Sequence, residues 1–199
     1  MSTVVFRPRF GFALTLAVAV LCLLGLVTTA VQDVAVAVRY APAFLLAVAV
    51  VWALFGRPAV VVSDGGVELR NVLRTIELPW PTIERIDTKY ALTLYTAYGI
   101  YAAWAAPAPS RMQAMQAAPE DTKHLPGTTY IGGGVRPGDL AGTASGDAAA
   151  HIRRRWEELQ TAGHLDTPRL ERDRPVVHWH VLPGLAVVAL IALTIVALR

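Results

Sequence analysis

Cysteine is almost missing from this chain. Cys22 is the single one among 199 residues, so no intrachain disulfide framework can exist. Lysine is nearly as scarce. Lys89 and Lys123 are the only two, and every other basic residue is an arginine. With abundant Ala, Val and Gly, that bias points to a GC-rich bacterial coding sequence. The chain also lacks a basic surplus where a nucleic-acid binder would need one. Net charge is +3, but Arg7, Arg9, Arg39, Arg199 and Asp33 all lie at or between apolar segments. Residues 57–174 keep 14 of the 18 basic and 14 of the 15 acidic residues, a balance without the footprint of a phosphate-backbone binder.

Catalytic patterns are missing too. Gly132-Gly133-Gly134 suggests a phosphate loop, but Gly138 is followed by Asp139-Leu140 rather than Lys-Ser or Lys-Thr. Pro137 stands where a dinucleotide fingerprint needs its third glycine. His178-Trp179-His180 offers two imidazoles, yet no further ligand at suitable spacing completes the four that zinc prefers. At a membrane boundary such a triplet reads as an interfacial belt. No Ser/His/Asp or Cys/His arrangement emerges, so the expectation is a protein without catalysis, cofactor or metal.

What the chain has is apolar length. Hydrophobic residues make up 54% and concentrate in three stretches, about 10–31, 36–55 and 181–198. Each approaches the roughly 20 residues a spanning helix needs, with Arg39 placed to snorkel. Arg7 and Arg9 before the first stretch resemble the start of a secretory signal, but the run exceeds the usual h-region of about 7–15 residues. The expectation is an uncleaved helix. Arginines ahead of it put the N-terminus in the cytoplasm, and with it the middle of the chain. Residues 1–56 thus hold two spans, and 181–198 a third, at the plasma membrane.

The middle reads as β-structure. In "VVVSDGGVELRNVLRTIELPW", Asp64-Gly65-Gly66 marks a hairpin turn. Val67 and Leu69 alternate with Glu68 and Arg70, and Ile76 and Leu78 alternate with Thr75 and Glu77, the period of half-buried strands. Pro79 and Pro81 flank Trp80 and end the run. Further strands cover 83–88 and 90–96, where Tyr90, Leu92 and Leu94 share a face. Another follows Tyr98-Gly99, with Ile100, Ala102 and Trp104 on one face. Trp80 and Trp104 could line a groove, but aromatic residues in a small β-barrel are usually core. Six strands with short connections predict an antiparallel meander closing as a barrel or sandwich.

Residues 107–145, rich in Pro and Gly, read as a flexible insertion with a helical turn near 111–118. An amphipathic helix follows over 146–162. Ile152, Trp156 and Leu159 form its apolar stripe, Ser145 can cap it and Gly163 ends it. Residues 165–180 read as a juxtamembrane linker. Arg153, Arg154 and Arg155 are the candidate contact residues for a lipid surface or a partner, although such clusters usually hold about 4–8 basic residues.

A meander closed by one C-terminal helix is the plan of a pleckstrin-homology (PH) domain. Arg57-Pro58, "VVVSDGGVELRN" and "RTIELPWPTIERID" resemble the bacterial PH-like domain of small membrane proteins, the low-molecular-weight antigen type. The resemblance implies an α+β PH-like barrel or sandwich over 57–164, preceded by two membrane helices. It implies no settled activity. The first strand–strand loop, residues 63–66, carries Asp64 and no Lys or Arg, so phosphoinositide binding there is not expected. The expected function is a membrane-anchored binding or scaffolding module with an unknown protein partner. The alternative is an anionic-lipid or membrane-surface sensor using the helix arginines.

Overall fold

The computed structural model describes residues 3–110, 112, 137–165 and 173–199. The chain divides into two units, Met1–Arg7 with Ala59–His178, and Pro8–Pro58 with Trp179–Arg199. The second unit is helical. It holds α1 (Arg9–Gln32), α2 (Val34–Val51), continued by a π-helical turn at Trp52–Gly56, and a C-terminal helix, Val181–Leu198. All three are long and apolar enough to cross a membrane, at 23, 23 and 18 residues. The turn between α1 and α2 is tight because Asp33 caps α2, its Oδ1 accepting from the amide of Ala35 at 2.7 Å. Arg39 does not stand alone. Its Nε donates to the carbonyl of Ala197 at 2.7 Å, at the otherwise unpaired end of the C-terminal helix.

The first unit is a two-sheet β-domain. Strand β1 (Val4–Phe6) pairs antiparallel with β2 (Ala59–Val62), and β2 pairs with β3 (Gly66–Arg70). Strand β3 pairs in turn with β4 (Arg74–Pro79). A second sheet holds β5 (Ile83–Asp87), β6 (Ala91–Thr96) and β7 (Gly99–Pro107) in that order. Helix α3 (Ala144–Thr161) follows, and β8 (Val176–Trp179) adds to the far side of β4. The C-terminal helix Val181–Leu198 is then α4. The strands fall into two sheets, the sandwich form of the expected fold rather than a continuously bonded barrel.

The alternation read from sequence holds in the first sheet. Val67, Leu69, Ile76 and Leu78 are buried and meet Leu92 and Leu94 of the second sheet in one core. Helix α3 covers that core with Ile152, fully buried, and with Trp156 and Leu159. Trp156 also donates from Nε1 to the carbonyl of Ile83 at 3.1 Å, tying the helix to β5.

Five expectations are revised. The helix begins at Ala144, and its cap is Thr143, whose Oγ1 accepts from the Gly146 amide. Ser145 instead lies buried in the first turn and donates to the carbonyl of Gly138 at 2.7 Å. Residues 137–145 belong to the packed domain rather than to an insertion. Gly138 lies so close to the Thr88 backbone that a Cβ would collide with it. On β7 the shared face of Ile100, Ala102 and Trp104 points outward, while Ala103 and Ala105 face the core. Tyr90, expected beside Leu92 and Leu94, is likewise exposed. Finally, 176–179 is a strand rather than linker, and a strand also precedes the first apolar helix.

Candidate binding surfaces of the β-domain

The loop at residues 63–66 joins β2 to β3. Its backbone is already engaged. The Ser63 amide donates to Gly66 O at 3.0 Å, and Trp80 Nε1 donates to Ser63 O at 3.0 Å. Its acid, Asp64, receives Arg155 Nη2 at 3.2 Å. Arg155 of the helix is thereby paired with a carboxylate of the loop itself.

The three consecutive arginines part company. Arg153 is 3% exposed, with Nη1 on Asp139 Oδ1 at 2.5 Å and Nη2 near Ile86 O at 3.4 Å. Thr88 Oγ1 donates to the same Asp139 oxygen at 2.6 Å. Arg155 bridges Asp64 and Glu158, each at 3.2 Å. Arg154 is the exposed one. The structure does not bring these residues onto one solvent face. A helical step of about 100° turns each away from the next.

The Asp139–Arg153–Thr88 cluster escaped sequence reading. Its signal was present in the helix period. Ala149, Ile152, Arg153 and Trp156 fall at i, i+3, i+4 and i+7, so Arg153 sits on the buried stripe. A charge there demands a buried partner. Asp139 supplies it, and its second oxygen, Oδ2, finds no hydrogen-bond partner among the described residues.

The outer face of the second sheet is the other site sequence reading missed. Register aligns Arg85 with Tyr95 and Tyr95 with Ile100 across β5, β6 and β7. Arg85 stacks on the Tyr95 ring, its guanidinium carbon 3.8 Å from the centroid. Ile100 beside it is 63% exposed. His178 meets Glu77 at 3.5 Å, both well exposed, and no group of three or more metal-ligating side chains occurs among the described residues. The glycine run at 132–134 and the turn expected near 111–118 lie outside the described residues, apart from Met112.

Two packed sheets, a single helix closing the core and a loop–strand–turn order beginning at Arg57 give the comparison its context. Residues 57–157, just over half of the chain, match the bacterial PH domain family. The chain belongs to that family. No curated protein and no solved structure matches it. PH-like domains are generally binding modules without catalysis, and the three apolar helices make this bacterial PH domain a membrane-associated one. The match ends at Glu157, so β1 and β8 are additions to the family's portion of the fold.

Proposed function

We propose that this protein is a non-catalytic binding and scaffolding module of the bacterial cell membrane. Its three helices span the bilayer, its PH domain lies in the cytoplasm, and a protein partner docks on the outer face of the β5–β7 sheet. The observation that carries the reading is the row Arg85, Tyr95 and Ile100. Tyrosine and arginine dominate binding hot spots, because they supply contact area at low entropic cost. Here the stacking of Arg85 on Tyr95 holds both side chains in place before a partner arrives. An exposed isoleucine next to them supplies an apolar centre.

A photo-crosslinker at Ile100 in living cells is expected to give a discrete protein adduct, and Tyr95→Ala in the same chain to diminish it. A crosslinker at 100 that captures nothing, or capture indifferent to Tyr95→Ala, counts against this surface. The sensor reading through Arg153, Arg154 and Arg155 finds little support, since Arg153 is spent on Asp139 inside the domain and Arg155 on two acids.

A further inference from the structure

We propose that the partner of the β5–β7 face is acidic: an extended protein segment that sets carboxylates on Arg85 and Lys89 and an apolar side chain on Ile100. This inference rests on the partner face proposed above and names the chemistry that the face takes.

The charges of the second sheet are few, and all lie on β5 and the turn after it. Glu84, Arg85, Asp87 and Lys89 are the four, and residues 90–107, which hold β6 and β7, contain none. The two acids do not cover the two bases. Asp87 folds back on its own chain, Oδ1 accepting from the amides of Thr88 at 2.7 Å and Lys89 at 3.0 Å. Glu84 sits in the register shift between Ile83 and Arg85, with no residue opposite it on β6. Neither Arg85 nor Lys89 forms an ion pair with an acid among the described residues.

Both cations lie on tyrosine rings instead. The guanidinium carbon of Arg85 is 3.8 Å from the Tyr95 centroid, and Lys89 Nζ is 5.1 Å from that of Tyr90. Stacking uses the flat face of a guanidinium and leaves its N–H groups, which point outward in the plane. Arg85 thus keeps the fork that takes a carboxylate through two parallel bonds. The ring also holds the side chain in place in advance, which lowers the entropy lost when those bonds form.

Strand register sets the spacing. Arg85 lies opposite Tyr95, and Tyr95 opposite Ile100, so cation, ring and apolar side chain form one row across three strands. Two strand spacings, about 10 Å, separate Arg85 from Ile100. Ile100 is 63% exposed, and no acid on β6 or β7 repels an incoming carboxylate. Lys89 stands at most about 14 Å along the chain from Arg85. The face therefore fits a segment with an acid roughly two to four positions from a large apolar residue, the same-side spacings of an extended chain.

Crosslinking with charge exchange tests this in the full chain. A photo-crosslinker replaces Ile100 and is activated in living cells, and the partner peptide joined to it is sequenced by mass spectrometry. That peptide is expected to carry Asp or Glu within four positions of the crosslinked residue. Arg85→Glu and Lys89→Glu are each expected to lower the adduct several-fold, while Arg85→Lys keeps most of it. Changing the partner's acid to arginine is expected to restore capture by the Arg85→Glu chain. If Arg85→Glu unfolds the domain, Lys89→Glu, in an exposed turn, decides alone. An adduct that Tyr95→Ala diminishes but neither charge reversal changes overturns the acidic partner and leaves the partner face standing. A crosslinked peptide without an acid, or a charge exchange that restores nothing, has the same meaning. A crosslinker at 100 that captures phospholipid alone, or nothing, overturns the face as well.

Discussion

Asp139 and Arg153 are the least exposed charges among the described residues of the domain, their side chains 1% and 4% accessible. A buried pair adds little over an apolar substitute, yet removing one partner strands the other. Arg153→Ala is therefore expected to cost about 3–5 kcal/mol of stability. Arg154→Ala, one residue on and exposed, should stay within about 0.5 kcal/mol. Tryptophan-fluorescence unfolding of the full chain in micelles separates the two. His151 contributes a pH response of its own. Burial, then the nearby Arg154, holds its pKa below the ordinary 6.5, with Glu158 pulling the other way. The unfolded chain binds that proton more readily, so stability rises with pH in that window. Full stability is expected above pH 6.5, with a decline as pH falls below it toward the folded-state value. Melting curves at neutral and mildly acidic pH check this, and His151→Gln should flatten the difference.

Helix α3 and strand β1 differ sharply in how visible they are to a reader of sequence. The stripe of Ile152, Trp156 and Leu159 marks α3 plainly, and all three meet the core. Three-residue β1 has no period to detect, and it abuts a long apolar run that dominates its surroundings. It exists because Val4, Val5 and Phe6 find an open edge at β2. On β7 the alternation was legible but its sense was not. Three alanines, Ala103, Ala105 and Ala106, face inward, and the larger Ile100 and Trp104 face out. Size misled, because a register shift between β6 and β7 and a closely packed helix favour small side chains there. The elements should also differ in energetic weight. Ile152→Ala, at full burial, is expected to cost about 2–5 kcal/mol. Phe6→Ala, at a half-buried edge position in contact with His151, should cost about 1–2 kcal/mol. Urea unfolding of both variants gives the ranking, and a Phe6 effect equal to that of Ile152 would make β1 part of the central core.

At the scale of the molecule, pairing constrains topology more firmly than charge does. Strands β1 and β2 sit side by side in one sheet, and α1 and α2 separate them in the chain. If those helices span, their number between the two strands must be even, as it is. Reporter fusions are expected to place the N-terminus and a site after Leu165 on one side and a site after Arg199 on the other. A split between the N-terminus and Leu165 is incompatible with the pairing of β1 and β2. Arg7 and Arg9 add the expectation that the shared side is the cytoplasm.

Both outer strands of the five-stranded sheet come from outside the segment that matches the family, β1 from before the first apolar helix and β8 from just before the last. A ribosome therefore makes one rim of this sheet before the segment that matches the family and the other after it, with two hydrophobic helices emerging between β1 and β2. Until residues 176–179 appear, β4 offers a raw hydrogen-bonding edge. Excised residues 57–164 would carry two such edges, which makes the fragment prone to pair with copies of itself. Completion of the sheet thus waits on both segments that flank the PH domain, and the intact fold records that the two have been delivered to the same place.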